Sequence, residues 1–192
     1  MAVDVAADAV VGTVVFTDIV GFTAFTADEG DDRALELLAV QERAVERLLP
    51  DGARVVKELG DGLMLWFPDP VGAITTALAL HATLADHDLD GFPLWIRAGA
   101  HHGTQRRRRD DLLGHDVNVA ARIVDLAGPG ELLVSEATRR AIGGGLVDVE
   151  FREVGPVFVK GLADPVWIHH VEPLDDTTVV PADPPAAPEG AR

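Results

Sequence analysis

The chain has 192 residues, 47% of them apolar, and a formal net charge of −16. That length and composition suit one domain with a sizeable core. The acidity argues against nucleic acid as a general partner, because such binding neutralises phosphates with Lys and Arg. With no cysteine present, disulfides, thiolate metal sites and cysteine nucleophiles are excluded.

No apolar stretch approaches the roughly 20 residues that a membrane-spanning helix needs. The start, Met1-Ala2-Val3-Asp4, lacks the basic opening of a signal peptide. A cytoplasmic protein with no membrane segment in this chain is the expectation.

Residues 1–11 read as a short leader, 12–172 as one folded domain, and 173–192 as a disordered Pro/Ala-rich tail. Val14-Val15-Phe16 is a short apolar run expected to form a buried strand. A turn at Gly21 leads to a helix with its body over Asp31 to Leu49. Leu38, Val45, Leu48 and Leu49 recur there at helical spacing, and Pro50-Asp51-Gly52 stops it. Arg54 to Phe67 reads as a hairpin turning at Gly60-Asp61-Gly62.

Asp69-Pro70 starts the next helix, with Asp as cap and Pro in the first turn, running to about Ala85. Leu94 to Ala100 is a strand, and Gln105 to Asp111 a polar, basic arm. A helix follows from about Asp116 to Ala127, closed by Gly128-Pro129. Then come a strand over Glu131–Val134, a short helix capped by Ser135, and late strands over Val147–Phe151, Pro156–Lys160 and Val166–Val171. The pattern is α+β: a ferredoxin-like β-α-β-β-α-β core with additional C-terminal strands and an arm.

Asp18 and Asp61 each lie just past an apolar run, at the tips of strands that are neighbours in such a fold. Two carboxylates so placed can hold two divalent ions side by side, the arrangement that serves phosphoryl transfer. Taken singly, Asp18 also reads as an ordinary strand-end aspartate and Asp61 as a hairpin Asp-Gly. The turn Gly21-Phe22-Thr23 opens a helix, and backbone N–H groups there can hold phosphate oxygens. Lys57 precedes Asp61 by four residues, a spacing that puts both on one strand face unless the Gly60 turn intervenes. It reads either as an exposed lysine or as a ligand to a nucleobase or phosphate.

Asn118 and Arg122 are i and i+4, and so share a helix face. They are either a solvated stripe or a phosphoryl site, where the guanidinium fork suits charge developing on equatorial oxygens. Arg106–Arg109 read as a solvated arm or a contact for an acidic partner surface. His101 and His102 are adjacent and point to opposite strand faces, which disfavours a shared metal. Trp66, Phe67 and Trp95 suit a core or an interface, and His169-His170 carry no functional signal.

Four stretches, in order and at fitting separations, resemble the class III adenylyl/guanylyl cyclase catalytic domain. They are Phe16 to Thr23, Lys57 to Gly62, Asp111 to Arg122, and Lys160-Gly161-Leu162. The resemblance covers about residues 10–172. It implies that Asp18 and Asp61, with the Ile19 carbonyl, hold two divalent cations, Mg²⁺ or Mn²⁺. It implies that Lys57 and Asp111 read the purine, that Asn118 positions the ribose, that Arg122 stabilises the transition state and that Lys160 contacts the departing phosphates.

A lysine with an ionised aspartate suits adenine, whose N1 accepts and whose N6 amino group donates. ATP is therefore the implied substrate, and 3′,5′-cyclic AMP and pyrophosphate the products. In the family the metal residues come from one domain and the base, ribose and transition-state residues from another. One chain carrying both sets implies a homodimer with two shared active sites, in which the arm reaches across. Guanylyl cyclase and a catalytically silent cyclase-like module are the alternatives. A diguanylate-cyclase or polymerase-palm type fold pairs carboxylates in a similar way, but the Asn118/Arg122 helix and the Lys57 spacing fit it poorly.

Overall fold

The computed structural model describes residues 8–89, 91–158 and 164–174. Strand β1 (Ala9–Ile19) leads through α1 (Phe22–Glu29) and α2 (Asp31–Leu48) to the hairpin of β2 (Arg54–Leu59) and β3 (Gly62–Phe67). After α3 (Pro70–Ala85), two-residue strands β4 (Asp88–Leu89) and β5 (Phe92–Pro93) pair with each other. The long β6 (Ile96–Arg108) follows, with β7 (Asp111–Leu113), α4 (His115–Val124), β8 (Leu132–Ser135) and α5 (Glu136–Ile142) after it. Strands β9 (Val149–Val157) and β10 (Val166–Pro173) close the described fold.

The sheet runs β2-β3-β1-β6-β8-β10-β9, with β7 also on β6. Its first four strands pair antiparallel in the order of the ferredoxin-like unit, while β8 adds parallel to β6. The expected α+β core with extra C-terminal strands is therefore the observed one.

Burial follows strand alternation. Val15, Leu65 and Phe67 point to the face covered by α2 and α3, packing with Leu37, Ile74 and Leu80. Val14, Phe16 and Met64 point to the opposite face, where Val117, Ala120 and Val124 of α4 cover them. Each fully buried aliphatic or aromatic side chain contributes about 1.5–3 kcal/mol. Two helix starts are capped as the sequence suggests. Asp69 Oδ1 accepts the Gly72 N–H at 2.7 Å, and Ser135 Oγ accepts the Thr138 N–H at 3.2 Å.

Several expectations change. β1 begins at Ala9, inside the expected leader, because Ala9–Val11 pairs with Thr104–Arg106. The basic arm is exposed, as expected, and is itself β-structured. Arg106–Arg108 are the end of β6 and pair with Asp111–Leu113, since β-bonding satisfies backbone groups that a free arm would leave to water. β6 therefore extends eight residues past Ala100, to Arg108. In place of separate late strands over 147–151 and 156–160, β9 is continuous over Val149–Val157 and passes through Gly155 at φ 115°; residues 159 and 160 lie outside the described residues. On α2 the buried positions are Ala34, Leu37, Gln41, Ala44 and Val45, with Leu38 and Leu48 only partly buried. Among the described residues, no helix is long and apolar enough to cross a membrane.

Candidate active site

Two clusters form at separate places on the sheet. The first lies where β1 ends beside the β2–β3 turn. Thr17 pairs with Leu63 across β1 and β3, which sets Asp18 beside the turn that carries Asp61. A side chain at position 62 would bring its Cβ within 2.8 Å of the Thr17 carbonyl oxygen. Glycine there lets the hairpin tip close onto β1.

Asp61 sits in a half-buried turn. Burial, followed by the neighbouring Asp18 charge, pushes its carboxyl above the usual carboxylate range; its own backbone N–H and Arg97 pull the other way. Arg97 has no counterpart in the sequence reading. It faces Asp18 in the β1–β6 register, and its Nε and Nη2 approach Asp18 Oδ2 at 2.8 and 2.5 Å. The legible signal was a charged residue breaking the apolar run Leu94-Trp95-Ile96-Arg97-Ala98.

These residues fit a hard divalent cation. Two carboxylates lie near each other, and the Asp18 charge adds to burial in raising Asp61. Arg97 occupies only Oδ2 of Asp18. Among the described residues no third His, Asp or Glu joins the pair. Such a sparse set suits ions that complete their coordination with water and substrate phosphates. Ile19 is buried at the end of β1. Beyond it, Gly21 opens α1 at φ 78°, and Phe25 is the first residue whose N–H finds a helical acceptor, Gly21 O at 3.0 Å. The N–H groups of Phe22 and Thr23 therefore belong to the unpaired first turn.

The second cluster lies across β2, β7 and α4. Lys57 Nζ donates to Asp111 at 2.9 Å from each carboxylate oxygen. Desolvation pushes the Asp111 carboxyl up, but the Lys57 hydrogen bond, the Leu112 N–H and the Lys57 charge outweigh it, so its pKa falls below the usual range. The expected common face for Lys57 and Asp61 does not survive. A register shift between Val55 and Lys57 turns the lysine towards β7, while Asp61 turns towards β1.

Asn118 and Arg122 are exposed one turn apart on α4, whose other side is buried. Arg122 Nη1 donates to Asp125 at 3.3 Å. Among the described residues, no hydrogen bond or ion pair joins the Asp18/Asp61 cluster to the Lys57/Asp111/Asn118/Arg122 cluster. Lys160 lies outside the described residues. His101 and His102 diverge, to Ser135 Oγ at 2.7 Å and Thr13 Oγ1 at 2.9 Å respectively. Phe67 is buried, and the half-buried Trp66 donates its indole N–H to Gln105 at 3.0 Å.

The sequence profile of the adenylate and guanylate cyclase catalytic domain matches residues 6–172. Over 131 residues the chain is 34% identical to a pH-sensitive adenylate cyclase of Mycobacterium tuberculosis, covering 68% of this chain and 32% of the relative. Over 123 residues it is 34% identical to an adenylate cyclase of Streptomyces coelicolor, covering 64% and 32%. The chain thus spans about a third of the length of these curated relatives. The crystal structure of the adenylyl cyclase CyaB from P. aeruginosa matches with a TM-score of 0.73 at 25% identity, covering 86% of this chain and 95% of that one.

Proposed function

Because this chain belongs to the adenylate and guanylate cyclase catalytic domain family, we propose that it converts ATP to 3′,5′-cyclic AMP and pyrophosphate at two sites shared across a homodimer. Members of the family bind nucleotide, use divalent cations and act as dimers. The observation that carries the finer reading is the Lys57–Asp111 ion pair, whose aspartate is held ionised. Lysine then donates to adenine N1, and the carboxylate accepts from the N6 amino group.

Asp18, Asp61 and the Ile19 carbonyl would hold two divalent cations, Mg²⁺ or Mn²⁺. When bound, these supply Lewis acidity at the triphosphate and ease loss of the ribose 3′-hydroxyl proton. The first-turn N–H groups of Gly21, Phe22 and Thr23 would take phosphate oxygens. Asn118 would fix the ribose, so that the 3′-oxygen faces the α-phosphorus in line with the departing pyrophosphate. The 3′-oxygen bonds to that phosphorus as the bond to the bridging oxygen breaks. Arg122 would meet the charge that grows on the equatorial oxygens. Lys160 would contact the departing phosphates.

The two clusters stand apart on one chain. A second copy related by a twofold axis would bring the Lys57/Asn118/Arg122 cluster of each protomer to the carboxylates of the other.

Supplying the purified chain with ATP or GTP, and with Mg²⁺ or Mn²⁺, tests the reading against Asp18→Ala. Cyclic AMP from the wild type alone is the expected result. An excess of cyclic GMP would overturn the base assignment and keep the fold. No product at concentrations that give a dimer would leave a silent module.

A further inference from the structure

Between Ala100 and Arg106, β6 has, among the described residues, a strand neighbour on one edge only. Its pairing with β8 ends at Ala100–Val134, and its pairing with β7 begins at Arg106–Leu113. Across this gap the N–H groups of His102 and Thr104 face outward with no strand to receive them. An unpaired N–H that is shut off from water is costly. Two side chains fill the gap instead. Thr138 Oγ1 of α5 accepts the His102 N–H at 2.9 Å, and Asp116 Oδ2 of α4 accepts the Thr104 N–H at 2.6 Å.

Asp116 is the second residue of α4, whose N-cap is Gly114 and offers no side-chain acceptor. Its carboxylate instead reaches away from the helix and into β6. The space it enters exists because residue 103 is glycine: a Cβ there would lie 2.1 Å from Asp116 Oδ2 and 2.6 Å from its Cγ. The other carboxylate oxygen is 3.5 Å from His101 Nε2, and His101 Nδ1 is 2.7 Å from Ser135 Oγ, the cap of α5. Four residues earlier on β6, a Cβ at Gly99 would lie 2.2 Å from the Val124 backbone N. So α4 lies across two glycines. Its last turn is seated by close packing and its first turn by a directional bond.

At 100° per residue, Asn118 and Arg122 stand about 200° and 240° round the helix from Asp116. Fixing Asp116 to the sheet therefore fixes the direction in which the other two project. We infer that Asp116, clamped to the Thr104 N–H through the opening at Gly103, is a positioning residue that aims Asn118 and Arg122. This rests on the reading of α4 as the helix that carries the transition-state arginine.

The test is steady-state kinetics and thermal melting on the full chain. Asp116→Ala should lower kcat about 10- to 100-fold, the loss expected for a misplacement near 1 Å, with KM for ATP and the folded fraction unchanged. Asp116→Asn retains an acceptor for the Thr104 N–H and should stay within about threefold of wild type in kcat. Gly103→Ala should lower kcat by driving the carboxylate out. Combined with Asp116→Ala it should add little, because the carboxylate is gone and only the Cβ of residue 116, at 3.1 Å, stays close.

Arg122→Ala separates the two claims. If it abolishes turnover while Asp116→Ala does not alter kcat, the clamp is wrong and the reading of α4 stands. If Arg122→Ala leaves turnover intact, that reading fails and the positioning role fails with it. Additive losses in the Gly103/Asp116 pair, or activity that merely tracks the folded fraction, would reduce Asp116 to a structural residue.

Discussion

At the β2–β3 turn a carboxylate faces another carboxylate; at β7 a carboxylate faces a lysine. The two neighbourhoods shift their acids in opposite directions. Asp61 is pushed up by burial and by Asp18, and Asp111 ends low because Lys57 outweighs its burial. The first cluster holds an excess of negative charge that Arg97 offsets on one oxygen only. The second is internally neutral at Lys57–Asp111 and presents Asn118 and Arg122 to solvent. One region is rich in carboxylate and the other turns the Arg122 guanidinium to solvent; on the function proposed above, each needs the other.

Breaking either region alone should have the largest effect. Asp18→Ala should abolish cyclic AMP formation. Arg122→Ala should cost about 10²–10³ in kcat, the range for losing a donor to a developing oxyanion. Mixed and allowed to exchange subunits, the two variants should recover about a quarter of wild-type activity, since half the dimers then carry one intact site. No recovery despite proven exchange would mean that the two clusters do not meet across the dimer.

A smaller effect is expected in the second region alone. Lys57→Met or Asp111→Asn should lower the ratio of kcat/KM for ATP over GTP by about 10- to 100-fold, as a mismatched base edge leaves polar groups unpaired. An unchanged ratio would remove these residues from base reading.

The opposite acid shifts can be tested without turnover, by carboxyl-carbon NMR titration of the cation-free chain. Asp61 should titrate above the usual range and Asp111 below it, and Asp18→Asn should bring Asp61 down. The linkage signs differ accordingly. A raised acid favours the folded state at low pH, and that contribution is lost as pH rises through the folded pKa. Asp111 contributes above its unfolded value and loses that contribution as pH falls through its folded pKa. An Asp61 unmoved by Asp18→Asn would mean that the two carboxylates do not sense each other.

The smallest effect belongs to a residue outside both regions. Asp69→Ala removes the α3 cap and should cost about 1 kcal/mol of stability, read as a lower Tm with kcat unchanged. A change in kcat would mean that α3 communicates with one of the two clusters.

Much of this was legible in residue order. The apolar run Val14-Val15-Phe16, the Asp69-Pro70 start and the Gly60-Asp61-Gly62 turn are local signals, because backbone preference and patterning act over a few residues. Asn118 and Arg122 share a face by spacing alone. The strand pairing of the arm was not legible, for a reason of the same kind. Gln105 to Asp111 is polar and charged, and nothing local says that β1 and β7 will take up its backbone groups. Likewise, a bulge in β2 parted Lys57 from Asp61, and strand bulges leave little trace in composition.

The sequence by itself determined the α+β pattern, the capped starts of α3 and α5, the hairpin turn, the two acidic strand tips and the polar stripe of α4. All of these depend on neighbours within one or two turns of chain. Only the tertiary structure decided that Arg97 meets Asp18, that Lys57 meets Asp111, and that Asp116 enters the space beside Gly103. Those contacts join residues 79, 54 and 12 apart along the chain or more. Strand register and helix seating set them, and both are outcomes of burying the whole sheet at once.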